Sequence, residues 1–237
     1  MTEEINTVVI LAGGKGTRMR EETEFIPKPM VKIGGIPVLE HIINYISKFK
    51  NFEFIICTGY KEEVIQEYFT GGKYQNVKIL PTGLETNTGG RIAKVKKFIE
   101  GDFIMTYGDG LADVDINKLI EFHQQHNKTA TITVNKPVSR FGLVEFEKNG
   151  EVIEFIEKPT LDSFVNIGYM VLTRKIFQYL NGNLVFENEP LKSLAKNKEI
   201  YAFAHPGFFR PMDTYREYVK MNNLWEKGSE PWTKLKS

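Results

Sequence analysis

Val8-Val9-Ile10-Leu11-Ala12-Gly13-Gly14-Lys15-Gly16-Thr17-Arg18-Met19 is an apolar run that ends in a glycine-rich turn, and the turn ends in a basic residue. The apolar and β-branched residues of Thr7–Leu11 predict a strand. Glycine tolerates positive φ and lets a backbone come close to a ligand. The N–H groups of Gly13, Gly14 and Gly16 can then point at phosphate oxygens, helped by a following helix N-terminus. Two familiar phosphate loops are excluded. The dinucleotide fingerprint requires glycine where Met19 stands, and the Walker pattern requires Gly-Lys-Ser/Thr, whereas Lys15 precedes Gly16. The stretch is a phosphate loop of another kind or, read alone, a plain strand-to-helix turn. Downstream, Pro27-Lys28-Pro29 holds a lysine between two residues of fixed φ. Such a preorganised cation suits the electrostatic demands of phosphoryl or nucleotidyl transfer, although a solvated lysine in a proline-rich loop has the same sequence.

Outward from this stretch, strands and helices alternate. Pro37–Lys50 predicts a helix with Val38, Leu39, Ile42, Ile43, Ile46 and Phe49 on one face. Glu53–Thr58 is expected to be a strand, Lys61–Phe69 a short helix with Val64, Ile65 and Tyr68 inward, and Val77–Pro81 a strand. Gly90–Ile99 follows as a helix, Phe103–Tyr107 as a strand, and Asp115–Asn127 as a helix capped by Asp113 or Asp115. The pattern implies right-handed crossovers and an α/β fold with a doubly wound, mixed but mostly parallel sheet, in which ligands sit at the carboxyl ends of the strands. Beyond about residue 128 the character changes. Thr129–Asn135, Leu143–Glu147, Val152–Glu157, Val165–Leu172 and Glu199–Ala204 read as strands, with helices at Glu189–Lys196 and Thr214–Trp225. The shift is expected to mark a smaller β-rich lobe within a single domain spanning residues 1–237.

Composition narrows the partners. The chain has 237 residues, with 31 basic against 30 acidic side chains, a net charge of +1 and a hydrophobic fraction of 41%. Bulk charge therefore offers nothing to nucleic acid or to a membrane surface, and an anionic ligand must meet a few placed cations. Cys57 stands alone in an apolar run and reads as a buried small hydrophobe. The acidic start Met1-Thr2-Glu3-Glu4 carries no targeting pattern, and a cytoplasmic location is the expectation.

Further candidates follow from type and context. Asp109, between Gly108 and Gly110 at a strand end, suits a divalent cation that takes one or two carboxylates plus phosphates and water, and equally suits a turn. Asp213 is the second acid by type, and it also suits a helix cap. Lys158 in Glu157-Lys158-Pro159 repeats the lysine-before-proline pattern after a strand, as a cation for a second anion. Arg91 and Arg140, each beside glycine, read singly as surface residues. His123 and His126 lie on one helix without a third ligand nearby, His41 reads as structural, and His205 could line a site.

Taken together, Leu11–Arg18, Pro27-Lys28-Pro29-Met30, Thr88-Gly89-Gly90-Arg91, Tyr107-Gly108-Asp109-Gly110, Arg140-Phe141-Gly142, Glu157-Lys158-Pro159, Glu187–Pro190 and Gly207–Thr214 carry a resemblance. The chain resembles the sugar-1-phosphate nucleotidyltransferases, and among them the branch that joins CTP to glucose-1-phosphate. The resemblance implies a Rossmann-like nucleotidyltransferase fold and Mg²⁺-dependent synthesis of a CDP-sugar with release of pyrophosphate. It implies that Leu11, Ala12, Gly13, Gly14, Gly16, Thr17 and Arg18 hold the triphosphate, with Arg18 and Lys28 catalytic. Thr88, Gly89, Arg91 and Asp109 are implied to meet the nucleotide, and Asp109 and Asp213 to hold Mg²⁺. Gly142, Glu157, Lys158 and Asn166 are implied along the sugar phosphate. Such enzymes feed surface-polysaccharide and deoxysugar synthesis. The neighbouring alternative is a guanylyltransferase for a heptose-1-phosphate. A catalytically silent relative is disfavoured because Lys28, Asp109 and Asp213 are all present. Two departures stand out. Asn166-Ile167-Gly168 places isoleucine where the cytidylyltransferases usually have glycine, which predicts an altered acceptor pocket. The Tyr68–Leu84 segment is short, so a homo-oligomer is kept open without transferring the family's assembly.

Overall fold

The computed structural model describes residues 4–16, 25–72 and 74–235. Its centre is a seven-stranded sheet. β1 (Thr7–Leu11) lies between β4 (Glu53–Thr58) and β6 (Phe103–Tyr107), parallel to both, with Val9 opposite Ile55 on one side and Met105 on the other. β5 (Val77–Pro81) extends the sheet beyond β4. On the far side come β11 (Val165–Leu172), antiparallel to β6, then β8 (Ala130–Asn135) and β12 (Ile200–Ala204). The order is β12-β8-β11-β6-β1-β4-β5, so β11 alone runs against the rest. Strands from both halves of the chain thus enter one mostly parallel sheet.

Both faces of the sheet are covered, which is why its central strands are continuously apolar. Val8, Ile10, Phe54, Ile56 and Ile104 point into one core layer. Helices α1 (Val38–Ile46) and α4 (Ile116–His126) supply Leu39, Ile42, Ile43, Ile116 and Leu119 to that layer. Val9, Leu11, Cys57, Phe103 and Met105 point into the other layer, against Ile92, Val95 and Leu194. The last three come from α3 (Thr88–Val95) and α5 (Glu189–Lys196). Cys57 is buried there, and burial pushes its thiol up to about 12, as expected for an inert packing residue.

Several local expectations shift. α1 ends at Ile46, because residues 47–50 form the turn that leads into β4. In α2 (Glu62–Phe69) the buried residues are Ile65 and Phe69. Tyr68 instead sends its hydroxyl to the carboxylate of buried Glu40. α3 begins at Thr88 and includes both Gly89 and Gly90. A Cβ on Gly89 would stand 2.8 Å from the Leu184 carbonyl oxygen, and one on Gly90 2.7 Å from Asn183 Oδ1, so packing rather than chain breaking requires these glycines. Asp115, not Asp113, caps α4 by accepting from the Lys118 N–H at 3.1 Å. Asp113 is buried, beside His205 Nε2 at 2.9 Å and accepting from the Phe208 N–H at 2.6 Å.

Four short strands were not legible in the sequence: β2 (Lys32–Ile33), β3 (Ile36–Pro37), β7 (Gly110–Ala112) and β13 (Phe209–Pro211). β2 pairs with β3, and β7 with β13, each antiparallel. α6 (Tyr215–Glu226) is capped by Thr214. Outside the main sheet, β9 (Leu143–Phe146) and β10 (Val152–Ile156) form a separate antiparallel ribbon, the smaller β-rich element. Among the described residues no helix is long and apolar enough to cross a membrane. Replacing Asp115 by Ala should cost about 1 kcal/mol of stability through loss of the helix cap. Denaturant unfolding that shows no change would remove Asp115 from that role.

Candidate active site

The carboxyl ends of β1, β4 and β6 face one edge of the sheet, and a cleft of about 480 Å³ opens there. It is lined by residues 11–16 of the glycine loop, by Lys28 and Pro29, by residues 84–88 with Arg91, and by Tyr107, Gly108, Asp109 and Asp213. A larger groove of about 760 Å³ lies between α2 and β5, but its described lining carries Glu63 and Glu67 and neither lysine nor arginine. A polyphosphate needs cations and backbone N–H groups, so the cleft at the glycine loop is the chemically competent one.

The loop is fixed from below. Ala12 N–H donates to the Cys57 carbonyl at 2.9 Å, and Gly108 N–H donates to the Leu11 carbonyl at 2.9 Å, so the loop leaves β1 tied to both neighbouring strand ends. The guanidinium of Arg91 is buried beneath it. Nη2 donates to the Gly13 carbonyl at 2.9 Å, and Nη1 donates to the Thr58 carbonyl at 2.7 Å and to the Thr82 hydroxyl. Arg91 is therefore not the surface residue that its sequence context suggests. Burial draws its pKa below the usual range, opposed by the charges of Cys57 and Glu62. The fit is close: a Cβ on Gly13 would stand 2.0 Å from Arg91 Nη1, while one on Gly14 would meet nothing within 4 Å. Gly16 has φ of +62°, a conformation that favours glycine.

Lys28 sits at the start of a 3₁₀ turn, Lys28–Met30, with Pro27 before it in an extended conformation. Its ammonium is buried and lies 2.6 Å from Asp109 Oδ2 and 2.6 Å from Asp213 Oδ1. Three segments far apart in sequence thus converge on one point. β7 and β13 bring the two acids together: their pairing places Pro211 opposite Gly110, and Met212 N–H donates to the Asp109 carbonyl at 2.8 Å. Because Thr214 caps α6, the Asp213 carboxylate is left to face Lys28.

At the mouth of the cleft, exposed Lys15 pairs with Glu85 at 2.7 Å. Further along, Thr88 accepts from the Phe186 N–H at 2.8 Å and donates to Glu187 Oε2 at 2.7 Å, and the Tyr107 hydroxyl donates to the other Glu187 oxygen. Burial, and then the Glu187 carboxylate, hold the Tyr107 phenol far above its ordinary range, so it stays a neutral donor. Glu187 as the partner that joins Thr88 to Tyr107 was not foreseen. Its position in Glu187–Pro190 was the only signal.

Among the sequence candidates, Leu11, Ala12, Gly13, Gly14, Gly16, Lys28, Thr88, Arg91, Asp109 and Asp213 line the cleft. Gly89 lies behind it, packed on Leu184. Thr17 and Arg18 lie outside the described residues. Gly142, Glu157, Lys158 and Asn166 are not among the residues lining the cleft. Gly142 and Glu157 meet at the foot of the ribbon, where a Cβ on Gly142 would stand 3.1 Å from Glu157 Oε2. Lys158 has φ of +49° and pairs with Glu157. Asn166 Oδ1 accepts from the Gly168 N–H at 2.9 Å. Gly168, with φ of +86°, packs under the Tyr107 ring, so this segment abuts a residue that does line the cleft. Ile167 is a correction: its side chain is buried in the core with Tyr169 and Val171, so its bulk is taken up in the interior.

Two carboxylates that bracket a cation at short range form a hard, oxygen-only donor set. That set fits Mg²⁺, which usually takes one or two protein carboxylates and fills its shell with phosphate and water. Among the described residues there is no group of three or more acids, histidines or cysteines that could bind a metal unaided.

The comparisons with known proteins agree with this geometry. The "Nucleotidyl transferase" family model matches residues 7–204. A glucose-1-phosphate cytidylyltransferase of Salmonella typhi is 43% identical, with 94% of this chain and 97% of that protein covered. The crystal structure of HddC from Yersinia pseudotuberculosis is similar with a TM-score of 0.71 and 27% identity, covering 93% of this chain and all of that one. UDP-glucose pyrophosphorylase in complex with UDP-glucose shares the fold, with a TM-score of 0.69 at 20% identity over 95% of this chain and 100% of that one.

The loop geometry makes a paired prediction. Gly13→Ala should lower stability by about 1–3 kcal/mol through overpacking against Arg91 and raise the KM for nucleotide. Gly14→Ala should stay within about 0.5 kcal/mol of wild type in denaturant unfolding. Equal stability of the two variants would show that Arg91 does not seat the loop. A glycine loop seated over a buried arginine, and a lysine clasped by two carboxylates at the end of a parallel sheet, are the frame on which these relatives are built, and the chain belongs to the nucleotidyl transferase family.

Proposed function

We propose that this protein transfers a cytidylyl group from CTP to a sugar-1-phosphate, giving a CDP-sugar and pyrophosphate. The observation that carries this reading is the convergence of Lys28, Asp109 and Asp213 beside the glycine loop. The choice of CTP and of a hexose-1-phosphate such as glucose-1-phosphate draws on the 43% identity to a cytidylyltransferase over 94% of the chain.

The chemistry is a single in-line displacement. A phosphate oxygen of the acceptor attacks the α-phosphorus of CTP, the bond from that phosphorus to the β-phosphate bridging oxygen breaks, and pyrophosphate leaves with the electron pair. No covalent enzyme intermediate is needed, and no Ser/His or Cys/His nucleophile constellation is legible in the sequence. Gly13, Gly14 and Gly16 present backbone N–H groups to the triphosphate, with Arg91 holding the loop in place from beneath. Lys28 counters the charge that builds on the α-phosphate and the departing pyrophosphate, and its buried position means that little reorganisation is required. Asp109 and Asp213 would hold Mg²⁺, which supplies charge neutralisation at the phosphates. Lys158, with Glu157, Gly142 and Asn166, would take the sugar phosphate at the foot of the ribbon. Thr88 and Tyr107, joined through Glu187, form the wall between the two substrates.

A guanylyltransferase reading has one specific observation behind it, the 27% identity to HddC, which was also crystallised in complex with GMP-PN. The higher identity to the cytidylyltransferase favours the first reading. Pyrophosphate release, measured for each nucleoside triphosphate against a panel of sugar-1-phosphates, separates the two. Turnover is expected with CTP, and turnover with GTP alone would overturn the cytidylyl assignment. Lys28→Ala should lower kcat by about 10²-fold or more, as for loss of a transition-state charge contact. A change confined to the KM for the sugar would contradict its role. Asp213→Asn should weaken Mg²⁺ activation, and an unaltered metal titration would leave Asp213 as a structural partner of Lys28.

A further inference from the structure

The β9–β10 ribbon stands apart from the core, and every residue in its two strands is exposed. Its register sorts the side chains. Phe146 faces Val152 and Val144 faces Phe155 on one side, while Glu145 opposes Glu154 and Leu143 opposes Ile156 on the other. The first side is wholly apolar, with its four side chains between 49% and 65% exposed. The second places two like charges directly across from each other, which weakens the pairing. A lone two-stranded ribbon is marginal in water at best. Here it also carries an uncovered apolar face and a repulsive pair, so the ribbon by itself does not account for its own order.

We propose that this face is covered by a second copy of the same chain. With Phe141 and Ile153 beside them, the ribbon residues present roughly 800 Å² of apolar surface, the share that one partner gives to a standard interface. That exceeds the patch of about 300–600 Å² usual on a monomer. The face bears no charge and the chain has a net charge of +1, so electrostatics offers no handle for a charged partner. An uncharged, flat face made of cross-strand pairs can be self-complementary, as a two-fold interface requires. The assembly also reaches the reaction. Gly142 directly precedes β9 and Glu157-Lys158 directly follows β10, while the Phe155 ring lies where a Cβ on Gly142 would be, at 2.4 Å. Fixing the ribbon against a partner therefore fixes the residues assigned to the sugar phosphate, a link that rests on the acceptor reading given above.

Sedimentation velocity over a hundredfold range of concentration tests the association without reference to activity. Wild type is expected to sediment as a dimer or a closed multiple of it. The double variant Phe146→Glu, Val152→Glu should sediment as a monomer with an unchanged far-ultraviolet circular dichroism spectrum. In steady-state assays the dissociated variant should show a raised KM for the acceptor with little change for CTP. A wild type that stays monomeric throughout would overturn the proposal, even if it then bound lipid vesicles or an unrelated protein. So would a folded double variant that keeps the wild-type sedimentation. Hydrogen exchange on wild type is the second measurement: amides of residues 143–156 should gain protection as concentration rises. Exchange there that is independent of concentration, while the protein associates, would place the interface elsewhere.

Discussion

The ion triad of Lys28 with Asp109 and Asp213 is the constraint on which the rest of the site depends. A buried ammonium is tolerated only when anions stand beside it, and two carboxylates at short range are tolerated only when a cation stands between them. Each group therefore requires the others, and together they require that three remote segments meet. The proline-flanked turn after the glycine loop, the end of β6, and the run from β13 into α6 are brought to one point. The small β7–β13 pairing performs the last of these joins, and without it Asp213 would be only a neighbour of a helix cap.

The glycine loop shows a second dependence, of shape rather than charge. Gly13 is closed off by the Arg91 guanidinium, which reaches from the first turn of α3 to the carbonyls of both Gly13 and Thr58. That reach needs α3 to begin early and to lie close to the 183–184 backbone. Gly89 and Gly90 permit this by having no side chain where Leu184 and Asn183 sit. Three glycines that look alike in the sequence thus serve two purposes: one admits an arginine beneath a loop, and two admit a helix against a neighbouring segment. The rigid sheet and this underpinning present the loop, while the ribbon that carries Gly142, Glu157 and Lys158 is a separate element joined to the body at its foot.

The strands at the centre of the sheet were legible because burial on both faces demands continuous apolar runs, and Thr7–Leu11, Glu53–Thr58 and Phe103–Tyr107 carry them. Helix limits were less so. Pairs of glycines in α3 read as breakers, and the end of α1 depends on where β4 must begin. The two-residue and three-residue strands carry too few side chains for any periodicity, so β7 and β13 had no signal. Ile167 illustrates the same limit. As one residue in a motif it suggested added bulk near the acceptor, but the strand's alternation turns it inward to the core.

By itself the sequence determined the α/β class, the strand that delivers the glycine loop, and the identity of the charged residues that serve an anionic substrate. These follow from local composition, because periodicity, glycine and proline act within a few residues of where they stand. The tertiary structure alone decided that Lys28 is clasped by Asp109 and Asp213, that Arg91 is a buried strut, that Glu187 joins Thr88 to Tyr107, and that an apolar ribbon is left uncovered. Those are contacts between segments up to 185 residues apart, fixed by strand order and register. No local pattern encodes them.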